Sequence, residues 1–272
     1  MSRKSEAIKN FIPVALKHYK QLLKSLMAFT EDNVAQDIVN SYTNGKGLPY
    51  LDLLEVVPGF NETITDFTFL SYTSRVTDIG FIKAIAKSFD KCDYLEIGCF
   101  RGESLVNILP NTNSTVSLSL SKKEMREINL PEYLMEPESI LVKPNEKLTQ
   151  IYHNSLTFDF ASLNKKFDLI FIDGDHSTHA VKIDTANAFK LLKDENSIII
   201  WHDFGNNYSE QRSDVIAGAL MGAPKEAHPI IYRVSNTLCG IYTKRPLKTM
   251  APDANLVMPT KLFDVTVASK KI

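Results

Sequence analysis

Tyr94-Leu95-Glu96-Ile97-Gly98-Cys99-Phe100-Arg101-Gly102-Glu103-Ser104 is the stretch that decides the fold. An apolar run leads into a glycine-flanked turn and then into helix-forming residues. The same layout returns in Phe167-Asp168-Leu169-Ile170-Phe171-Ile172-Asp173-Gly174-Asp175-His176 and in Ser197-Ile198-Ile199-Ile200-Trp201-His202-Asp203. Each run reads as a buried strand, and each ends in polar residues. In an open parallel sheet, ligands bind at the carboxyl ends of the strands. Three such ends therefore predict one cleft lined by Glu96, Asp173, His176, His202 and Asp203.

Working outward, the remaining strands are expected at Thr115 to Leu120, Leu148 to His153, Pro229 to Val234 and Leu238 to Thr243. Helical spacing is read between them at Glu103 to Ile108, Lys122 to Ile128, Leu156 to Asn164, Thr178 to Leu192 and Glu210 to Met221. A further helix is expected from Ser74 to Phe89, just before the first strand. Strands alternating with helices imply a parallel sheet with helices on both faces. The short connection at Ser235-Asn236 makes the last two strands antiparallel. The expected fold class is α/β, a seven-stranded, mostly parallel sheet with an antiparallel final strand.

The domain reading follows from this pattern: residues 1–70 form a helical extension or lid, 71–246 the sheet domain, and 247–272 a tail. The extension is expected to hold one helix from Ser5 to Phe29 and a second from Asp32 to Tyr42. Ile8, Ile12, Ala15, Tyr19, Leu22, Leu23 and Leu26 share one face, with a break near Pro13. That face suits packing on the main domain or on a second copy, so a homo-oligomer through these helices is an expectation. The basic positions Lys9, Lys17, Lys20 and Lys24 read as a solvated face.

Composition bounds the partners. The chain has 272 residues, 44% of them hydrophobic, and a net charge of −1. Such a balance offers no basic field for nucleic acid or an anionic membrane. No stretch is long and apolar enough to span a bilayer or to form a secretory hydrophobic region. Cys92, Cys99 and Cys239 lie far from any zinc or CxxC spacing. Free thiols and a cytoplasmic location are expected.

The first strand end narrows the ligand. A dinucleotide site wants G-x-G-x-x-G to seat a pyrophosphate on a helix N-terminus. Here Gly98 and Gly102 are separated by Cys99, Phe100 and Arg101, and Glu96 and Glu103 would repel a pyrophosphate. A ligand with a cationic, amino-acid-like end fits better.

Glu96-Ile97-Gly98-x-x-x-Gly102 resembles the first motif of class I S-adenosylmethionine-dependent methyltransferases. The segments from Phe167 to His176 and from Ser197 to Asp203 resemble the fourth and fifth strand motifs of one branch. That branch includes macrocin-type sugar O-methyltransferases and cephalosporin-hydroxylase-like proteins. The resemblance covers roughly Ser71 to Lys244 and implies a Rossmann-like fold with S-adenosyl-L-methionine as cofactor. It places the methionine end over Gly98, Cys99, Phe100, Gly102 and Ser104. At the end of the second strand the family carries an acid for the ribose hydroxyls, where this chain has Ser119. Asn154 and Ser155 match the loop that contacts adenine, with Asn154 in place of the usual Asp.

The resemblance also assigns roles in the second cluster. Asp173-Gly174-Asp175-His176 matches the Asp-x-x-His of the macrocin-type enzymes, implying Asp173 as a metal ligand and His176 as general base. His202 and Asp203 stand where two further ligands, usually both acidic, are expected. Carboxylates and imidazole at adjacent strand ends are able to bind a divalent cation such as Mg or Mn. His179 reads as structural, and Trp201 as core. Arg212 reads equally as a group for an acidic substrate or as a salt bridge. The implied reaction is methyl transfer to a small-molecule hydroxyl, with Asp173 and Asp203 orienting the acceptor. Two rivals stay open: a nicotinamide oxidoreductase, disfavoured by the broken glycine pattern and Ser119, and a non-catalytic assembly protein of the same fold.

Overall fold

The structure is a computed structural model that describes residues 17–254, 256 and 258–271. Its strands are β1 (Tyr50–Leu51), β2 (Asp93–Ile97), β3 (Ser114–Ser119), β4 (Leu148–Tyr152), β5 (Leu169–Ile172), β6 (Ile198–Trp201), β7 (Ile231–Val234), β8 (Gly240–Tyr242) and β9 (Thr249–Met250). They form one sheet in the order β4-β3-β2-β5-β6-β8-β7-β1-β9. Strands β2 to β6 are mutually parallel wherever they pair. Strand β8 runs antiparallel to both β6 and β7. The expected parallel block with an antiparallel partner is therefore present, in a Rossmann-like α/β arrangement.

The strand count differs from the reading of seven. Tyr50–Leu51 pairs parallel with β7, and Thr249–Met250 pairs antiparallel with β1. Two residues are too few to show a period-two pattern, so neither strand was visible in the sequence. Both extend the sheet from segments assigned to the extension and the tail.

The helices are α1 (Tyr19–Thr43), α2 (Leu53–Val56), α3 (Val76–Lys87), α4 (Glu103–Ile108), α5 (Lys122–Glu127), α6 (Glu132–Met135), α7 (Thr178–Leu191) and α8 (Ser213–Gly222). Two apolar clusters lie on opposite faces of the sheet. Ile97, Ile170, Ile172, Ile199 and Trp201 share one with Val181, Ala188, Ile216 and Leu220 of α7 and α8. Tyr94, Leu169, Phe171, Ile198 and Ile200 share the other with α3 and α4 residues such as Phe81, Ile85, Leu105 and Ile108. Successive strand residues point to opposite faces, so near-continuous apolar strands feed both layers at once. Trp201 is core, as expected: it is fully buried, stacks on Phe204, and donates Nε1–H to Thr185 Oγ1 at 2.8 Å. The three cysteines are free and buried.

The N-terminal region is a correction. Described residues form one helix, α1, rather than one ending at Phe29 and another starting at Asp32. The polar cluster Thr30 to Asn33 looks like a helix start, yet no Gly or Pro interrupts the chain from Tyr19 to Thr43. Without a breaker the helix continues. It ends at Asn44, in the left-handed region at φ 52°. Ala35 and Val39 bury their side chains in the cluster shared with α8, whereas Tyr19, Leu22, Leu23, Leu26 and Met27 are exposed. Ile8, Lys9, Ile12, Pro13 and Ala15 lie outside the described residues.

A second correction falls on Leu156 to Asn164. Only a 3-10 turn forms there, Phe160–Leu163. Asn154 Oδ1 accepts from Leu156 N–H at 3.0 Å, and Asp159 Oδ1 from Ala161 N–H at 3.1 Å. Such side-chain bonds satisfy the backbone locally and compete with an α-helix.

Candidate active site

Parallel pairing in register brings three strand ends together. Asp173 N–H donates to Ile97 O at 2.8 Å, and His202 N–H donates to Ile172 O at 3.0 Å. The residues after β2, β5 and β6 therefore step across one rim of the sheet. Gly98 has φ +93°, and a Cβ there would stand 2.1 Å from the Asp173 carbonyl oxygen. Glycine at 98 is thus required by the neighbouring strand end as well as by the turn itself. Asp203 is also left-handed, at φ 58°. Backbone in that region is uncommon outside glycine, though Asp tolerates it, and it is enriched at functional sites.

Four of the expected residues meet at this rim. His176 Nε2 lies 3.1 Å from Asp203 Oδ2 and 3.5 Å from Asp173 Oδ1. His202 Nδ1 lies 3.2 Å from Asp173 Oδ1 and 3.1 Å from Asp203 Oδ1. Three further residues hold the cluster in place. Asp78, on the first turn of α3, sets an oxygen 3.0 Å from His202 Nε2. Arg212 Nη1 donates to Asp203 Oδ2 at 2.7 Å, so its role as a salt-bridge partner is filled inside the site. Ser74 Oγ donates to Asp173 Oδ2 at 3.1 Å.

The electrostatics follow from these distances. Burial would raise the Asp173 carboxyl, but the imidazoles of His202 and His176 outweigh it and hold the group well below the usual carboxylate range. Asp203 is lowered in the same way against the cost of burial. Burial opposes a charge on His202, yet Asp173, Asp203 and Asp78 together push its pKa well up. His176 is raised by Asp173 and Asp203, again against burial.

The donor set also fits a divalent cation. His202 presents Nε2 to the Asp78 carboxylate, the second partner that orients a metal-ligating imidazole. Its Nδ1 then faces the carboxylates of Asp173 and Asp203. His176 Nε2 is out of water, with the carboxylates of Asp203 and Asp173 3.1 and 3.5 Å away. Ligand atoms of Asp173, His176 and His202 all lie within 4.8 Å of one another.

Around the Gly98 turn the expected residues are placed as follows. Glu96 is fully buried, and accepts from Tyr94 Oη and Ser104 Oγ at 2.7 Å each. The acid thus braces the strand from within, and Ser104 is spent on holding it. Gly102 starts α4 in the left-handed region at φ 91°. Cys99 is buried with Sγ 3.9 Å from Ser139 Oγ, and Phe100 meets Tyr72 edge-on. Ser119, at the end of β3, donates to Glu138 Oε1 at 3.1 Å. Asn154 and Ser155 follow β4, and the Asn154 N–H donates to Glu124 at 2.8 Å. His179 is exposed on α7.

With this geometry in view, residues 95–204 match the family model of a methyltransferase domain. Over that segment the chain is similar to a methyltransferase domain. The match begins in β2 and ends just after Asp203, so it takes in all three strand ends. No curated protein matches this chain by sequence. Among solved structures it is similar to the cofactor-bound Rv0187 protein from MTB, at 18% identity, over 65% of this chain and 83% of that one, with a TM-score of 0.44. It is also similar to the N-methyltransferase NodS from Bradyrhizobium japonicum with S-adenosyl-L-homocysteine, at 13% identity, 60% and 83% coverage and a TM-score of 0.41. A third is S-adenosylmethionine-bound CalS10, an amino pentose methyltransferase from Micromonospora echinaspora, at 15% identity, 46% and 47% coverage and a TM-score of 0.32.

Asp78, Ser74 and Glu138 are the residues around the candidate site that sequence reading missed. Asp78 carried a signal: it sits on the apolar face of a helix between Val76 and Ile79, yet at the third helical position it reads as an ordinary cap. Glu138 lies in a stretch with no periodic pattern and offered none.

Proposed function

We propose that this chain transfers a methyl group from S-adenosylmethionine to a hydroxyl of a small molecule such as a sugar. The observation that supports this best is His176 Nε2, set 3.1 Å from Asp203 and 3.5 Å from Asp173 beside the Gly98 turn. An acceptor hydroxyl in that crevice has a base, two orienting carboxylates and the cofactor turn within one rim.

The acceptor oxygen attacks the methyl carbon in line with the departing sulfur. S-adenosylmethionine, when bound, would supply the methyl group, its carbon–sulfur bond breaking with the electron pair left on sulfur to give S-adenosylhomocysteine and a methyl ether. The hydroxyl proton passes to His176. Loss of the sulfonium charge on transfer would favour the step once the acceptor is deprotonated. Positioning of the two reactants supplies most of the acceleration, and the base adds roughly 10²–10⁴-fold. Asp173, His202 and Asp203 would hold a divalent cation, which when bound would make the acceptor hydroxyl easier to ionise. Because one ligand is an imidazole, Mn is expected to support activity at least as well as Mg. Activity unchanged by EDTA and by either ion would remove the metal from the proposal.

Calorimetric titration with S-adenosylhomocysteine tests the cofactor, and labelled-methyl transfer to a panel of sugars and small polyols tests the reaction. His176→Ala is expected to cut turnover by at least roughly tenfold with S-adenosylhomocysteine affinity nearly unchanged. Full turnover in that variant would sink the role of His176 as base.

A further inference from the structure

At the end of β3 this chain lacks the acid that usually meets a ribose. In nucleotide-binding α/β folds, a carboxylate at this place accepts hydrogen bonds from the ribose hydroxyls. Ser119 offers one short hydroxyl, which cannot match a charge-assisted pair. The structure brings a carboxylate to the same spot from elsewhere: Glu138 Oε1 accepts from Ser119 Oγ at 3.1 Å.

We infer that Glu138 is the group that holds the cofactor's ribose, reaching over Ser119 to take the place of the missing strand-end acid. The inference rests on the reading that this chain binds S-adenosylmethionine at the β2 and β3 strand ends.

Three features fix Glu138 in that position. Ser139 N–H donates to Phe100 O, and Leu141 N–H donates to Arg101 O at 3.1 Å, so residues 139–141 are laced along the glycine turn. The Val142 side chain sits over Gly102, where a Cβ would lie 2.4 Å from its Cγ2. Ser139 adopts φ 53°, a left-handed bend that follows Glu138 directly. A segment with no helix or strand of its own is thus tied at successive points to the loop that bears the cofactor motif. Such ties are the means by which a loop residue is held accurately enough to bind.

The carboxylate is also under-used. Ser119 is its only hydrogen-bond donor among the described residues. A carboxylate accepts at about four lone-pair sites, so room remains for two ribose hydroxyls. Glu138 is half-buried, and burial raises its carboxyl against the pull of Ser119 and Lys122. Holding an acid there with one donor is unfavourable, and a diol would relieve it.

Glu138→Gln keeps the size and the bond to Ser119 but removes the charge. Calorimetry with S-adenosylhomocysteine is expected to show binding weakened roughly ten- to a hundredfold, the loss for a hydrogen bond to a charged group. The 2′,3′-dideoxy form of the same ligand is expected to bind wild type and variant alike, because it has no hydroxyls to lose. Ser119→Asp placed in the Glu138→Gln background is expected to recover affinity for S-adenosylhomocysteine, by returning a carboxylate from the strand itself. This second variant also covers the case in which Glu138→Gln destabilises the loop. Equal S-adenosylhomocysteine affinity in wild type and Glu138→Gln would overturn the inference. So would an equal loss for both ligands, which would make Glu138 a structural tie only. Failure of wild type to bind S-adenosylhomocysteine would overturn the cofactor reading itself, a result separate from the other two.

Discussion

Glu96 illustrates how a single buried side chain links stability to pH. Its carboxyl is fully out of water, and burial raises its pKa to about 7 despite the bonds from Ser104 and Tyr94. The charge of Asp173 pushes in the same direction as burial. In the unfolded chain a Glu titrates near about 4.3. The folded state therefore holds more protons than the unfolded state between these values, and stability falls as pH rises through that window. The contribution is complete below about pH 4.3 and is lost above about 7. Asp184, raised by burial to about 7, acts with the same sign. Glu96→Gln is expected to reduce the fall in urea midpoint across this window and to unfold at higher temperature than wild type at pH 8. Parallel urea and thermal series at several pH values check this, and an unchanged pH slope would contradict it. The position of Glu96 was legible in the sequence, as the acid before the glycine turn. Its inward direction was not, because that depends on where Tyr94 and Ser104 come to lie.

At the scale of elements, α7 and α8 pack closely through glycines. A Cβ on Gly218 would meet Thr178 O and Val181 Cβ at 2.7 Å, and one on Gly222 would meet Lys182 O at 2.4 Å. The two helices approach so closely that their backbones are the contact surface. Thr178 Oγ1 also donates to Asp214 O at 2.9 Å, joining the two N-terminal ends. Those ends follow the loops that carry His176 and Arg212, so the helix pair sets the spacing of the cluster. Gly218→Val has nowhere to put its side chain without moving one helix. A loss of about 1–3 kcal/mol is expected, the usual cost of overpacking, with an unchanged denaturant slope if the fold survives. The periodicity of both helices was visible in their sequences. Their closeness was not, since a glycine inside a helix reads equally as a weak point. In α1 the reverse happened: a polar cluster that resembled a cap was overruled, because nothing in the chain stops the helix there.

For the whole molecule, the division between sequence and tertiary structure follows the range of the interactions. Apolar runs of four or five residues ending in Gly98, Asp173 and His202-Asp203 are local patterns, and they determined the parallel block and the rim at which those ends meet. Hydrophobic burial drives that choice, and it is written residue by residue along each strand. The sequence likewise determined that Asp173, His176, His202 and Asp203 would meet, because adjacent parallel strands in register put their ends side by side. What completes the site comes from distant segments. Asp78 reaches His202 across 124 positions in the chain. Arg212 turns back onto Asp203, and Glu138 onto Ser119. The short outer strands β1 and β9 join the sheet only because its edge at β7 is there to receive them. Such partners leave no periodic trace. A side chain that supplies a charge or a hydrogen bond needs only to arrive within about 3 Å, and that arrival is decided by how the loops are packed once the sheet has formed.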